Sequence, residues 1–161
     1  MRTNNGKVKN IIISVYFILI VLSILLATVF SAFQDLTPNP YLTFFIILGI
    51  FIFLFVSVYF VSKYFEYDSD GVKVVLLNRG LLLADHFNYR EKKVEFDKEK
   101  LVQFRIYNYV LYKQLAIWLN RSTGSKKKYT FNVTLVTRKK RKYIKQSLSK
   151  IIKENRKLHK Q

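Results

Sequence analysis

Residues 11–33 read IIISVYFILIVLSILLATVFSAF, residues 34–40 read QDLTPNP, and residues 41–62 read YLTFFIILGIFIFLFVSVYFVS. Neither long run carries an ionisable acid or base, and Asp35 is the one charge between them. Twenty-three helical residues rise about 34 Å, enough to cross a hydrocarbon core of about 30 Å. Pro38 and Pro40 prevent one continuous helix, because proline removes a backbone donor and clashes with the preceding turn. A helix apolar on every side has no counterpart in the core of a small water-soluble domain. The stretch therefore predicts a transmembrane hairpin over 11–63, with spans at 11–33 and 41–62 and an external turn at 34–40.

Lys and Arg sit on either side of the hairpin and are absent from its turn. Arg2, Lys7 and Lys9 precede the first span, and 25 of the 28 basic residues of the 161-residue chain follow the second. By the positive-inside rule, residues 1–10 form a basic cytoplasmic N-terminus and residues 64–161 a cytoplasmic domain, in the inner (cytoplasmic) membrane. The first apolar run is longer than the 7–15 residues of a signal-peptide core. With Phe30 two positions before Ala32, its end is also a poor cleavage site, so an uncleaved anchor is expected. Ser23, Ala27 and Ser31 lie at i, i+4 and i+8, a stripe of small side chains that lets another helix approach. Gly49 and Ser57 are small on the second span, so this face is expected to pack within the hairpin. No charged or His side chain enters either span, which argues against an ion pathway.

Beyond Lys63 the hydrophobic period shortens to two. Tyr64 to Tyr67, then residues 72–77, 81–87, 94–96, 101–109, 111–119 and 129–136, read as six or seven short strands. Turns are expected at Asp68-Ser69-Asp70-Gly71, with Gly71 at positive φ, and at Asn78-Arg79-Gly80. Residues 120–128 (NRSTGSKKK) read as a polar hairpin loop. Such spacing argues an antiparallel sandwich or barrel. From 137 to about 158 the period becomes helical, with Ile144, Leu148, Ile151, Ile152 and Leu158 on one face and Thr137 as N-cap. The expected fold class is α+β: a two-helix membrane hairpin, a small antiparallel β domain, and a closing amphipathic helix.

Tyr67-Asp68-Ser69-Asp70-Gly71-Val72 after the second span, Arg79-Gly80-Leu81 at the next turn, and Phe96-Asp97-Lys98-Glu99-Lys100-Leu101 before a strand carry a resemblance. With the terminal helix they resemble small bacterial two-span membrane proteins with a pleckstrin-homology-like domain. That resemblance implies two bent, nearly orthogonal sheets with one open end plugged by the helix, and membrane-proximal assembly in place of catalysis. It does not bring phosphoinositide binding, because the first hairpin loop here is acidic.

The net charge of +18 needs an anionic counterpart or a solvated face. Arg138, Lys139, Lys140, Arg141 and Lys142 open the last helix, where cations oppose the macrodipole. Lys126, Lys127 and Lys128 form a second cluster. Both are candidate electrostatic contacts to an anionic lipid surface or an acidic protein partner. Tyr107, Tyr109, Tyr112, Trp118, Tyr129 and Phe131 lie among the cations as base-stacking platforms would, so a membrane-tethered nucleic-acid binder is the alternative. The absence of cysteine excludes disulfides and thiolate metal sites. No catalytic motif is present. Asp85-His86 with Glu91, Glu95, Asp97 and Glu99 is the one combination that offers an acid–base or metal site, and a small membrane-associated enzyme is the second alternative if His86 and two of these carboxylates converge in a pocket. These acids alternate with lysines as exposed charge pairs do. The expected protein is a non-catalytic membrane-anchored scaffold or adaptor, without cofactor or metal.

Overall fold

The computed structural model describes residues 1–28, 39–81, 91–121 and 124–158. It divides into two compact units, residues 7–60 and residues 1–6 with 61–161.

The first unit is helical. Helix α1 (Lys9–Thr28) and helix α2 (Pro40–Val61) carry the two apolar runs. Both are long and apolar enough to cross a membrane, and only 6% of each candidate span is buried by the rest of the protein. Serine hydroxyls here are satisfied within their own helices: Ser14 donates to Asn10 O, Ser23 to Ile20 O and Ser57 to Phe53 O. The helices touch where the Tyr16 ring lies 5.8 Å from the Phe55 ring and its hydroxyl donates to Phe55 O at 3.5 Å. Among the described residues, nothing stands within 4 Å of where a Cβ would project at Gly49. Ser31 and the side chain of Ala27 lie outside the described residues.

The second unit holds two antiparallel sheets. One has the order β1-β2-β3-β4, with β1 Arg2–Asn4, β2 Lys63–Asp68, β3 Lys73–Gly80 and β4 Lys92–Asp97. The other runs β5 (Leu101–Asn108), β6 (Lys113–Asn120), β7 (Lys126–Asn132). Period-two alternation points Phe65, Tyr67, Val74, Leu76 and Phe96 inward from the first sheet. Leu115, Ile117, Leu119 and Phe131 meet them from the second. Helix α3 (Arg138–Leu158) closes this core with Ile144, Leu148 and Ile151. Thr137 caps it as expected, its Oγ1 accepting the Lys140 N–H at 3.4 Å.

The N-terminal residues are more than a basic tail. Arg2, Thr3 and Asn4 pair with Asp68, Tyr67 and Glu66, so the two apolar helices are inserted between adjacent strands of one sheet. Asn5, only 2% exposed, fixes the junction. Its Oδ1 accepts the Phe65 N–H at 2.8 Å, and its Nδ2 donates to Lys63 O at 3.0 Å. Arg2 adds an ion pair to Glu66 at 2.8 Å.

Other expectations change for identifiable reasons. Asn78-Arg79-Gly80 is not a turn but the end of β3, paired with Phe65, Tyr64 and Lys63. Asn78 donates to Tyr64 O at 2.8 Å and Asn132 O at 3.1 Å, bridging the two sheets. Residues 82–87 of the expected third strand lie outside the described residues. The run 129–136 stops being a strand at Asn132, whose Oδ1 accepts from Thr134 N at 2.9 Å and turns the chain. Among the described residues Gly124, at φ 77°, and not Gly71, holds the left-handed conformation. Leu158 is 60% exposed, and Asn155 takes its expected place against the sheet. Its Nδ2 donates to Lys98 O and Leu101 O at 2.8 and 2.9 Å.

Candidate functional site

The five consecutive cations at the start of α3 do not act as one cluster, because a helix turns 100° per residue. Arg138, Arg141 and Lys142, followed by Lys145, share one face at i, i+3, i+4 and i+7. Lys140 points elsewhere, its Nζ donating to Asn4 O and so fastening β1 to the helix. Lys139 lies 6.0 Å over the Tyr143 ring. Of the five expected contact residues, Arg138, Arg141 and Lys142 line one groove, and Lys139 and Lys140 do not.

Opposite the helix face stands β5, an edge strand of its sheet. Between them runs an open groove of about 730 Å³, to which Arg138, Arg141, Lys142 and Lys145 contribute from α3. Arg105 from β5 and Lys113 from the start of β6 complete six cations, over a floor that includes Phe104 and Ile106. No carboxylate lines it, and among the described residues none of the six forms an ion pair. Partial burial, with a smaller contribution from the neighbouring Arg138 charge, lowers the Arg141 pKa from its ordinary value. Arg141 is held in place by donating to Val136 O. Like charges gathered on a concave, partly apolar surface focus potential and favour an anion.

Lys126, Lys127 and Lys128 are not in a loop. They belong to β7, paired with Asn120, Leu119 and Trp118 of β6, because ladder pairing overrides their polar composition. None of them lines the groove. Lys128 covers Trp118 and Tyr107, its Nζ 5.3 and 5.6 Å from their ring centroids. Lys127 lies 4.9 Å over Tyr129. Of the six aromatics singled out as stacking platforms, Phe131 is 1% exposed and belongs to the core.

His86 and Asp85 lie outside the described residues. Glu95 pairs with Lys73 at 3.4 Å, and Asp97 with Lys100 at 2.6 Å. That lysine holds the exposed Asp97 carboxyl below its usual pKa, chiefly through the hydrogen bond. Among the described residues, no three of His, Cys, Asp and Glu stand close enough to hold a metal.

Compared with protein-family models, with curated proteins and with solved structures, the chain matches none. Its candidate site rests on geometry alone. Two parts of that geometry were not singled out in the sequence. Arg105, Lys113 and Lys145 are scattered along the chain and join the groove only through tertiary packing. The residues between β5 and β6, Tyr109-Val110-Leu111-Tyr112, resemble strand in composition, and of these the two tyrosines alone stand out in the sequence, as stacking platforms. A signal was present nonetheless, because this apolar tetrad separates two already complete strand alternations.

Proposed function

We propose that the protein is a non-catalytic, membrane-anchored scaffold or adaptor with a pleckstrin-homology-like domain on the cytoplasmic side of the bacterial inner membrane. Its basic groove meets an anionic surface, either the leaflet beside it or an acidic protein partner. The convergence of six cations, without a carboxylate, between α3 and β5 carries this reading. The two antiparallel sheets closed by a terminal helix support the domain resemblance. The pairing of β1 with β2 supports N- and C-terminal segments on one side, since a sheet cannot form across a bilayer. Each Lys or Arg near an anionic leaflet contributes about 1 kcal/mol, falling away within a Debye length of about 8 Å. Six such residues on a tethered domain orient it more than they recruit it.

The test uses the full chain in nanodiscs of zwitterionic or anionic lipid. Acylation of Lys113, Lys142 and Lys145, read by mass spectrometry, is expected to slow several-fold in the anionic discs and recover in high salt. Lys153, exposed further along α3, serves as reference. Equal reactivity in both discs removes the leaflet and leaves an acidic protein as the groove's partner. Shielding by added RNA in zwitterionic discs supports the nucleic-acid alternative instead, for which the Tyr107, Trp118 and Lys128 cluster would supply the stacking face.

A further inference from the structure

The hairpin between β5 and β6 is built against the usual chemistry of turns. Turn tips draw on Gly, Asn, Asp, Pro and Ser, which supply unusual φ or local hydrogen bonds. Here Tyr109 N–H donates to Tyr112 O at 2.8 Å, leaving Val110 and Leu111 as the tip. Val110 is 100% exposed and Leu111 69%. Beneath them Tyr107, Tyr109 and Tyr112 form a column, with ring centroids 6.2 Å apart at both steps. Stacked rings stiffen the hairpin and surround its apolar tip with amphipathic side chains, the type enriched at membrane interfaces.

The hairpin stands beside the basic groove. Asn108 and Lys113, its two base residues, also line the basic groove, so apolar tip and cations adjoin. Lys113 N–H donates to Thr134 Oγ1 at 2.9 Å, and Thr134 Oγ1 donates to Asn132 Oδ1 at 2.7 Å. Asn132 N–H donates to Asn78 Oδ1 at 3.1 Å, and Asn78 Nδ2 to Tyr64 O at 2.8 Å. This line of hydrogen bonds ties the hairpin base to Tyr64 in β2, close along the chain to the end of α2 at Val61. A convex apolar tip beside cations lacks the concavity that would receive a protein side chain. It suits a surface that is soft, apolar within and anionic at its face.

We propose that Val110 and Leu111 insert into the interfacial layer of the anionic leaflet crossed by α1 and α2, while the groove cations engage its phosphates. This rests on the reading of the domain given above. Stable placement on a bilayer needs two weak signals together, here an apolar wedge and a polybasic surface. The covalent tether keeps both at high local concentration.

The chain has no cysteine, so a single introduced thiol is unique. Val110→Cys in the full chain is labelled with an environment-sensitive fluorophore and reconstituted in nanodiscs carrying nitroxide lipids. A blue shift and loss of most emission to shallow acyl-chain nitroxides are expected in anionic discs. Label at Asn120→Cys, at the far end of β6, should stay aqueous. Leu111→Asp in the labelled chain should abolish the quenching, with circular dichroism unchanged because the site is exposed. An aqueous label at 110 alongside lipid-shielded groove lysines would overturn the wedge and leave the groove reading standing. Aqueous label and unshielded lysines together overturn both. A blue-shifted label that lipid nitroxides do not quench means that protein, either a partner or a second copy, covers the tip, and that also overturns the wedge.

Discussion

Buried amides hold the β domain's joints, and each replaces a length of regular pairing that the chain cannot supply. Asn5 continues the β1 ladder with its side chain where the backbone leaves the sheet, and its own N–H donates to Phe65 O at 3.2 Å. Asn5→Ala leaves the buried Phe65 N–H without its 2.8 Å acceptor. An unsatisfied buried donor costs about 1–3 kcal/mol, so a lower thermal midpoint of the reconstituted chain is expected. Thr3→Ala, which keeps the backbone pairing, should change it far less. Beside this joint, burial pushes the Tyr64 phenol up to about 12, helped by its hydrogen bond to Glu66 Oε2 at 2.8 Å. The folded pKa lies above the unfolded value of about 10. The associated stability is therefore whole below pH ~10 and lost as pH rises toward 12. Alkaline difference spectra should show one late-titrating tyrosine fewer in Tyr64→Phe. An unchanged curve would mean that Tyr64 is not among the shifted phenols.

At the scale of elements, α3 does two jobs with two faces. Leu148 is fully buried, and Leu148→Ala should destabilise the domain by about 2–5 kcal/mol through lost transfer energy and the cavity left behind. Leu158→Ala, at a side chain 60% exposed, should lie within about 0.5 kcal/mol of the parent. Chemical denaturation of the two variants separates these cases. The inner face was legible in the sequence because Ile144, Leu148 and Ile151 recur at helical spacing. The outer face was only half legible. Arg138, Arg141 and Lys142 lie within one visible run, but a linear run does not show that Lys140 turns away to Asn4. Nor does it show which distant cations complete the site. The tip residues Val110 and Leu111 were hidden for the opposite reason: they are good strand formers placed where strand pairing ends. Lys126, Lys127 and Lys128 looked like loop and are strand, because a ladder with β6 supplies what their own propensity lacks.

For the molecule as a whole, the decisive feature is the insertion of two apolar helices between paired strands. The apolar runs were plain in composition, since no local feature competes with twenty uncharged residues. The short strand Arg2–Asn4 was not, because three polar residues have no period to read and are ordered by partners distant in the chain, Glu66 to Asp68 and Lys140. That pairing constrains topology more tightly than charge counting does. If α1 crosses the bilayer then α2 must cross it back, or β1 could not reach β2; if one helix fails to cross, so must the other. Single-cysteine variants at Lys7, Asn39 and Asn120 in native vesicles, probed with a membrane-impermeant maleimide, test this. Positions 7 and 120 should label from one side, and position 39, between the helices, from the other. On the positive-inside rule, the shared side is the one proposed above to be cytoplasmic. Label at all three positions from one face would mean that the helices lie along the membrane without spanning it. Positions 7 and 120 on opposite faces would mean that β1 does not pair with β2 in the bilayer. In that case the N-terminal clamp of Asn5 and Lys140 would fail together with the strand it holds.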